Sequence, residues 1–135
     1  LDLPDTDRIW TPREIRERYE AGEREFGGLD ISEAADAVGD DTFRGALLDR
    51  ANFSRAFIFA DFAGASLVNC RFVEANVKTC RFDRANLDGC DFSDAAIDAA
   101  TFSAASAVGA VFAGATAYGA TLGADETPAK WDSDG

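Results

Sequence analysis

Residues 62–102 read FAGASLVNCR FVEANVKTCR FDRANLDGCD FSDAAIDAAT F, and their spacing decides the fold. A large apolar residue returns at every fifth position: Phe62, Leu67, Phe72, Val77, Phe82, Leu87, Phe92, Ile97 and Phe102. Two positions before each sits a small one: Ala60, Ala65, Cys70, Ala75, Cys80, Ala85, Cys90, Ala95 and Ala100. A period of five fits neither the 3.6 of a helix nor the 2.0 of a strand. It fits a short extended segment followed by a turn. Four such units would close one square coil, so side chains twenty positions apart should stack. The residue types agree. Phe62, Phe82 and Phe102 form one column, Phe72, Phe92 and Phe112 a second, Leu67 and Leu87 a third, Val77 and Ile97 the fourth.

Working outward, Phe43, Leu48, Phe53 and Ile58 repeat the same order, with a single step of four between Ile58 and Phe62. Downstream, Ala107, Phe112, Ala117 and Leu122 complete seventeen units. The spacing predicts coils at 43–58, 62–77, 82–97 and 102–117, with a fragment at Leu122. At about 4.8 Å per coil the rod is roughly 20–25 Å long. The residue between the small and the large one is often Asn or Asp, as in Ala51-Asn52-Phe53 and Ala85-Asn86-Leu87. This pattern resembles the pentapeptide-repeat family, whose consensus is A-[DN]-[LF]-x-x, over about residues 43–124. The resemblance implies an all-β solenoid, a right-handed quadrilateral β-helix of about four to five coils.

A solenoid exposes its core at both ends and needs caps. In Thr11-Pro12-Arg13-Glu14 a Thr N-cap is followed by Pro at the first helical position and Glu three after the cap. Trp10 and Ile15 are placed as a hydrophobic staple, and Gly22 can stop the helix. A capping helix is therefore expected at about 12–21, with Ile15 and Tyr19 over the first coil. Ala21-Gly22-Glu23-Arg24-Glu25-Phe26 resembles the segment that follows such a helix in the family, and Phe26 and Ile31 begin an incomplete coil. Residues 33–41 read as a loop or bulge. The expected organisation is an N-terminal segment at 1–42, the repeat at 43–124 and a tail at 125–135, from which Trp131 could fold back.

Composition excludes several functions. The chain has 135 residues, 25 acids against 13 bases, and no histidine, so no Ser-His, Cys-His or His-metal mechanism can be assembled within it. No enzyme activity, cofactor or metal is expected. Asp5-Thr6-Asp7 and Asp132-Ser133-Asp134 read as solvated acids, and the sequon Asn52-Phe53-Ser54 falls inside an expected strand. Residues 99–124 carry no charge, but they are too rich in Ala, Gly, Ser and Thr to span a membrane. The first thirty residues are crowded with charge, unlike a signal peptide. Cys70, Cys80 and Cys90 take inward small-residue positions and read as buried reduced thiols, so the expected location is the cytoplasm.

Two functions compete. Members of the family include DNA mimics that bind DNA gyrase and modulate quinolone sensitivity, and a net charge of −12 invites that analogy. The charge lies mostly elsewhere: residues 1–42 hold 13 acids and 5 bases, whereas 43–124 hold 8 and 7. The acids a mimic would use, Asp83, Asp88, Asp91, Asp94 and Asp98, encircle the rod rather than forming a stripe. Asp61 and Arg81, Arg71 and Asp91, and Lys78 and Asp98 stand twenty apart and are expected to pair across coils. The preferred expectation is a non-catalytic protein–protein interaction module. Its anchors would be Phe57 and Phe59, turned outward at the irregular corner unless Trp10, Tyr19 or the 33–41 loop covers them, with Val111 and Tyr118 near the uncharged end. The resemblance also implies a homodimer through the C-terminal end. The acidic termini and the lack of a basic stripe argue against direct nucleic-acid binding.

Overall fold

The computed structural model describes residues 3–122. It is a parallel β-solenoid with one helix at its N-terminal end. The extended segments are short: β1 (Ile9–Trp10), β2 (Asp30–Ser32), β3 (Phe57–Phe59), β4 (Thr101–Phe102) and β5 (Thr121–Leu122), joined by isolated bridges along the rod. Between them lies helix α1 (Pro12–Glu20). Each turn of the chain pairs with the next on four faces, as at Asp61 with Arg81, Ser66 with Asn86, Arg71 with Asp91 and Asn76 with Ala96. This is the four-sided, twenty-residue coil that the period of five requires.

The central apolar residue of each repeat unit faces inward from Phe26 to Phe102. Nine phenylalanines form two continuous ring stacks. One runs Phe43, Phe62, Phe82, Phe102, with centroids 4.7, 5.0 and 5.1 Å apart. The other runs Phe26, Phe53, Phe72, Phe92, Phe112, at 5.5, 5.3, 4.7 and 5.0 Å. These separations match the spacing of hydrogen-bonded strands, so ring stacking and backbone pairing agree in period. The two stacks meet edge to face, as between Phe82 and Phe92 at 5.7 Å and 85°. Alanine and cysteine beside each ring leave the room that this dense interior needs.

The corners have a common chemistry. A regular corner is closed by a backbone bond from the fourth residue to the first, as from Ala51 to Leu48 and from Ala75 to Phe72. The third residue has positive φ: 66° at Arg50, 59° at Glu74, 72° at Gly89. The consensus Asn or Asp stabilises the same corner, because its side-chain oxygen accepts the N–H two residues on. Asn52 does so from Ser54, Asn76 from Lys78, Asn86 from Asp88 and Asp91 from Ser93. The glycine at position 89 has a further reason, since a Cβ there would strike the Asn69 side chain.

Helix α1 has the expected cap. Thr11 and Glu14 form a reciprocal capping box, with Pro12 in the first turn. Gly22, at φ 103°, ends it: the Glu23 N–H reaches the Arg18 carbonyl and the Gly22 N–H that of Tyr19. Ile15 is buried, and the Tyr19 hydroxyl donates to the Asp49 carbonyl at 2.9 Å, so the helix lies over the first coil. The path of residues 23–42 is more regular than the sequence suggests. Phe26 stacks on Phe53 and Ile31 registers with Ile58, both 27 positions apart where later partners are 20 apart. The seven extra residues are the loop after Glu33, and Arg13 and Arg16 of the helix hold its 3-10 turn (Gly39–Asp41) through Asp41 at 2.6 Å and Asp40 at 3.5 Å. β1 extends the stack further, with Trp10 in register with Ile31.

The three cysteines are free and buried. Their thiols donate to backbone carbonyls of the preceding coil: Cys70 to Leu48, Cys80 to Ile58 and Cys90 to Leu67. Burial pushes the thiols of Cys70 and Cys80 up to about 12, and that of Cys90 upward likewise. The fold-back expected of Trp131, the acids at 132–134 and the tail at 125–135 lie outside the described residues.

Candidate interaction surface

At one corner of the first coil the turn is missing. Ala60, which should be the left-handed third residue after Ile58, has no positive φ, and the chain instead runs straight through β3. Register slips accordingly: Phe57 pairs with Asn76 at a spacing of nineteen, whereas Asp61 pairs with Arg81 at twenty. Glu33 stands in for the absent turn. Its backbone N–H donates to the Phe59 carbonyl, and its carboxylate accepts the Asp61 N–H at 3.0 Å. Burial, together with the nearby Asp61 charge, raises the Glu33 carboxyl above its ordinary value despite that bond.

Straight strand geometry alternates side chains, so Ile58 points in and its neighbours point out. Phe57 is 49% exposed and Phe59 56% exposed, so nothing in the described chain buries either ring. β3 pairs in parallel with β2, and β2 with β1. One outward row therefore reads Ile9, Asp30, Phe57, and the next reads Ser32, Phe59. Ile9 is 59% exposed. Ile9 and Asp30 did not stand out in the sequence, because the repeat is too irregular there to assign an outward side.

The other expected anchors are far from this row. Tyr118 is 86% exposed on the Ile58 face near the opposite end, and Val111 is half-buried on the Phe53 face beyond Asp91. The four residues thus do not converge on one patch. Leu47 and Val108, both exposed, add single apolar side chains on the Leu48 face.

The acids mainly serve the rod. Asp83, Asp88 and Asp98 each accept a backbone N–H of the following coil: from Ser103 at 3.0 Å, Val108 at 2.9 Å and Tyr118 at 2.8 Å. Asp49 does the same toward Val68. Burial alone would raise the Asp83 carboxyl, but the bonds it accepts from the Arg81 guanidinium and the Ser103 N–H help to hold the group below its usual range. Asp91 accepts from Ser93, and Asp94 lies against Gly114. Two of the expected cross-coil ion pairs do not form. Asp61 turns to Arg44 at 3.5 Å and Arg81 to Asp83 at 3.1 Å, since a long guanidinium reaches the nearer acid along its own face, while the Asp91 carboxylate serves its own turn. Lys78 and Asp98 do pair, at 3.9 Å. Among the described residues no three metal-ligating side chains gather, and no helix is long and apolar enough to cross a membrane.

Residues 57–94 match the family model for pentapeptide repeats, with eight copies. That stretch of the chain is therefore built of pentapeptide repeats. Similar solved structures include Rfr23, a pentapeptide repeat protein from the cyanobacterium Cyanothece 51142, at 16% identity and TM-score 0.49 over 81% of this chain and 98% of that one. A pentapeptide repeat protein of the Arabidopsis thaliana thylakoid lumen matches at 23% identity and TM-score 0.38, over 71% of this chain and 63% of that one. QnrB1, a plasmid-mediated fluoroquinolone resistance protein, matches at 17% and 0.35, over 71% and 56%. No curated protein matches the sequence.

Proposed function

We propose that this protein is a non-catalytic scaffold that binds another protein through the apolar side chains its rod leaves outside. The observation that carries this reading is the pair Phe57 and Phe59, half-exposed at a corner where the repeat's turn is missing. Phenylalanine in an outward position contributes nothing to the stack, and exposed aromatics are the residues that anchor protein interfaces. Tyr118 and Val111 serve a second contact near the uncharged end, a homodimer. Residues 1–42 act as the cap, 43–124 as the rod and 125–135 as the tail. Three buried reduced thiols suit a cytoplasmic setting.

The gyrase-mimic reading receives less support. A mimic needs acids free to present a field, and Asp83, Asp88 and Asp98 each give an oxygen to the next coil. The test compares three variants by pull-down at low and high salt and by sedimentation: Phe57→Ala with Phe59→Ala, Tyr118→Ala, and Asp88→Asn with Asp94→Asn. Partner capture should fall in the first, self-association in the second, and neither in the third. Inhibition of gyrase supercoiling that is lost in the third variant would reverse the ranking.

A further inference from the structure

The outward row Ile9, Asp30, Phe57 places one carboxylate between two exposed apolar side chains on adjacent strands. Asp30 is exposed and makes no ion pair among the described residues. The surroundings explain why. Residues 1–42 carry 13 acids and 5 bases, and those bases are engaged. Arg8 pairs with Glu14, Arg13 with Asp41, Arg16 with Asp40 and Arg18 with Glu23, while Arg24 stacks on Tyr19 at 3.6 Å and donates to carbonyls. Glu33 follows on the same strand end, and Asp36 comes three residues later in the exposed loop. Of the bases on the rod, Lys78 above Phe59 is paired with Asp98, and the Arg55 guanidinium lies toward Gly27 on the adjoining face.

The face is thus apolar at its centre, carries an uncompensated negative charge between its anchors, and is rimmed by further acid. We infer that it takes a basic, apolar polypeptide segment: a lysine or arginine directed at Asp30, with aliphatic or aromatic side chains on either side against Ile9 and against Phe57 and Phe59. A guanidinium at Asp30 would make a charge-assisted hydrogen bond and lie beside the Phe57 ring, two favourable contacts from one group. An acidic partner or a nucleic acid is repelled by the same charges. This inference rests on the reading of Phe57 and Phe59 as a partner surface and adds the partner's chemistry.

The experiment selects binders from a random twelve-residue peptide display library on the immobilised full chain. The recovered peptides are synthesised and titrated against wild type, Asp30→Asn and Phe57→Ala. Asp30 is exposed and Phe57 half-exposed, so the urea midpoint of Asp30→Asn should match wild type and that of Phe57→Ala should fall only slightly, with both variants folded. The expected peptides carry Lys or Arg flanked by apolar residues, bind about fivefold more weakly to Asp30→Asn, and lose about tenfold or more on Phe57→Ala. Peptides that need Phe57 but have no basic residue and ignore Asp30→Asn overturn the basic chemistry and leave the interface reading standing. Recovery of no peptide, or only of peptides indifferent to Phe57→Ala, overturns both.

Discussion

Replacing Phe82 with alanine tests the stacked interior most directly. Phe82 is fully buried at the centre of the rod. Its ring lies flat between Phe62 at 5.0 Å and Phe102 at 5.1 Å, and meets Phe72 and Phe92 edge-on at 6.1 and 5.7 Å. Returning a buried phenylalanine side chain to water is worth about 1.5–3 kcal/mol. The cavity adds to this, and here it cannot collapse, because the four ring neighbours are held by coils whose backbones are hydrogen-bonded above and below. Together these give a loss of about 3–5 kcal/mol. Asn86 is the control. Its side-chain oxygen accepts the Asp88 N–H at 3.0 Å on the rod surface, so Asn86→Ala should cost about 0.5–1.5 kcal/mol. Urea titration followed by far-UV circular dichroism and by tryptophan fluorescence measures both. Two probes are needed because neighbour-coupled repeats need not melt as one unit, and Trp10 reports on the N-terminal end of the rod. A Phe82→Ala loss under 1 kcal/mol, or one equal to that of Asn86→Ala, would refute the stacked core.

Two further outcomes follow from the corners and the thiols. Thr79 is a β-branched residue held at φ 63°, so Thr79→Gly should raise stability by up to about 1 kcal/mol, whereas Thr79→Val should not; an unchanged or lowered urea midpoint for the glycine variant contradicts the left-handed corner. At pH 8 a thiol with a pKa near 12 is almost wholly protonated, so a disulfide reagent should label Cys70 and Cys80 far more slowly in the folded chain than in urea, and rapid labelling of the native protein would show them to be accessible.

The rod was legible because its signal is redundant. Any one of Phe62, Phe82 and Phe102 is an ordinary hydrophobic residue, but three at one spacing, flanked each time by a small residue and an Asn or Asp, state the coil length and its corners together. Legibility fails where that redundancy fails. The N-terminal coil holds the same inward residues, Phe26, Ile31, Phe43 and Leu48, yet the seven-residue insertion after Glu33 hides their common period. The roles of the acids were hidden for another reason. Spacing shows that Asp61 and Arg81 are register neighbours, which they are, but side-chain choice is decided by reach, and Arg44 and Asp83 lie within it.

The same contrast bears on function. A repeat constrains its inward and corner residues so tightly that little of the rod's sequence remains to specify a partner. Even the surface acids Asp49, Asp83, Asp88 and Asp98 are drawn into joining coils. Partner information should therefore collect where the repeat is suspended, and one such place is the corner at Ile58. There the turn is replaced by a strand, Glu33 reaches across to take the Asp61 N–H, and Phe57 and Phe59 are released from any part in the stack. Restoring a turn by inserting a glycine after Phe59 would return the step between Ile58 and Phe62 to five. If the missing residue exists only to accommodate the N-terminal cap, the insertion should destabilise the rod and leave binding by the folded fraction unchanged. If it exists to present the two phenylalanines, binding should be lost while the Phe62, Phe82 and Phe102 stack, and its urea midpoint, survive. The second outcome is expected, because the stack above this corner already keeps its own register from Asp61 onward.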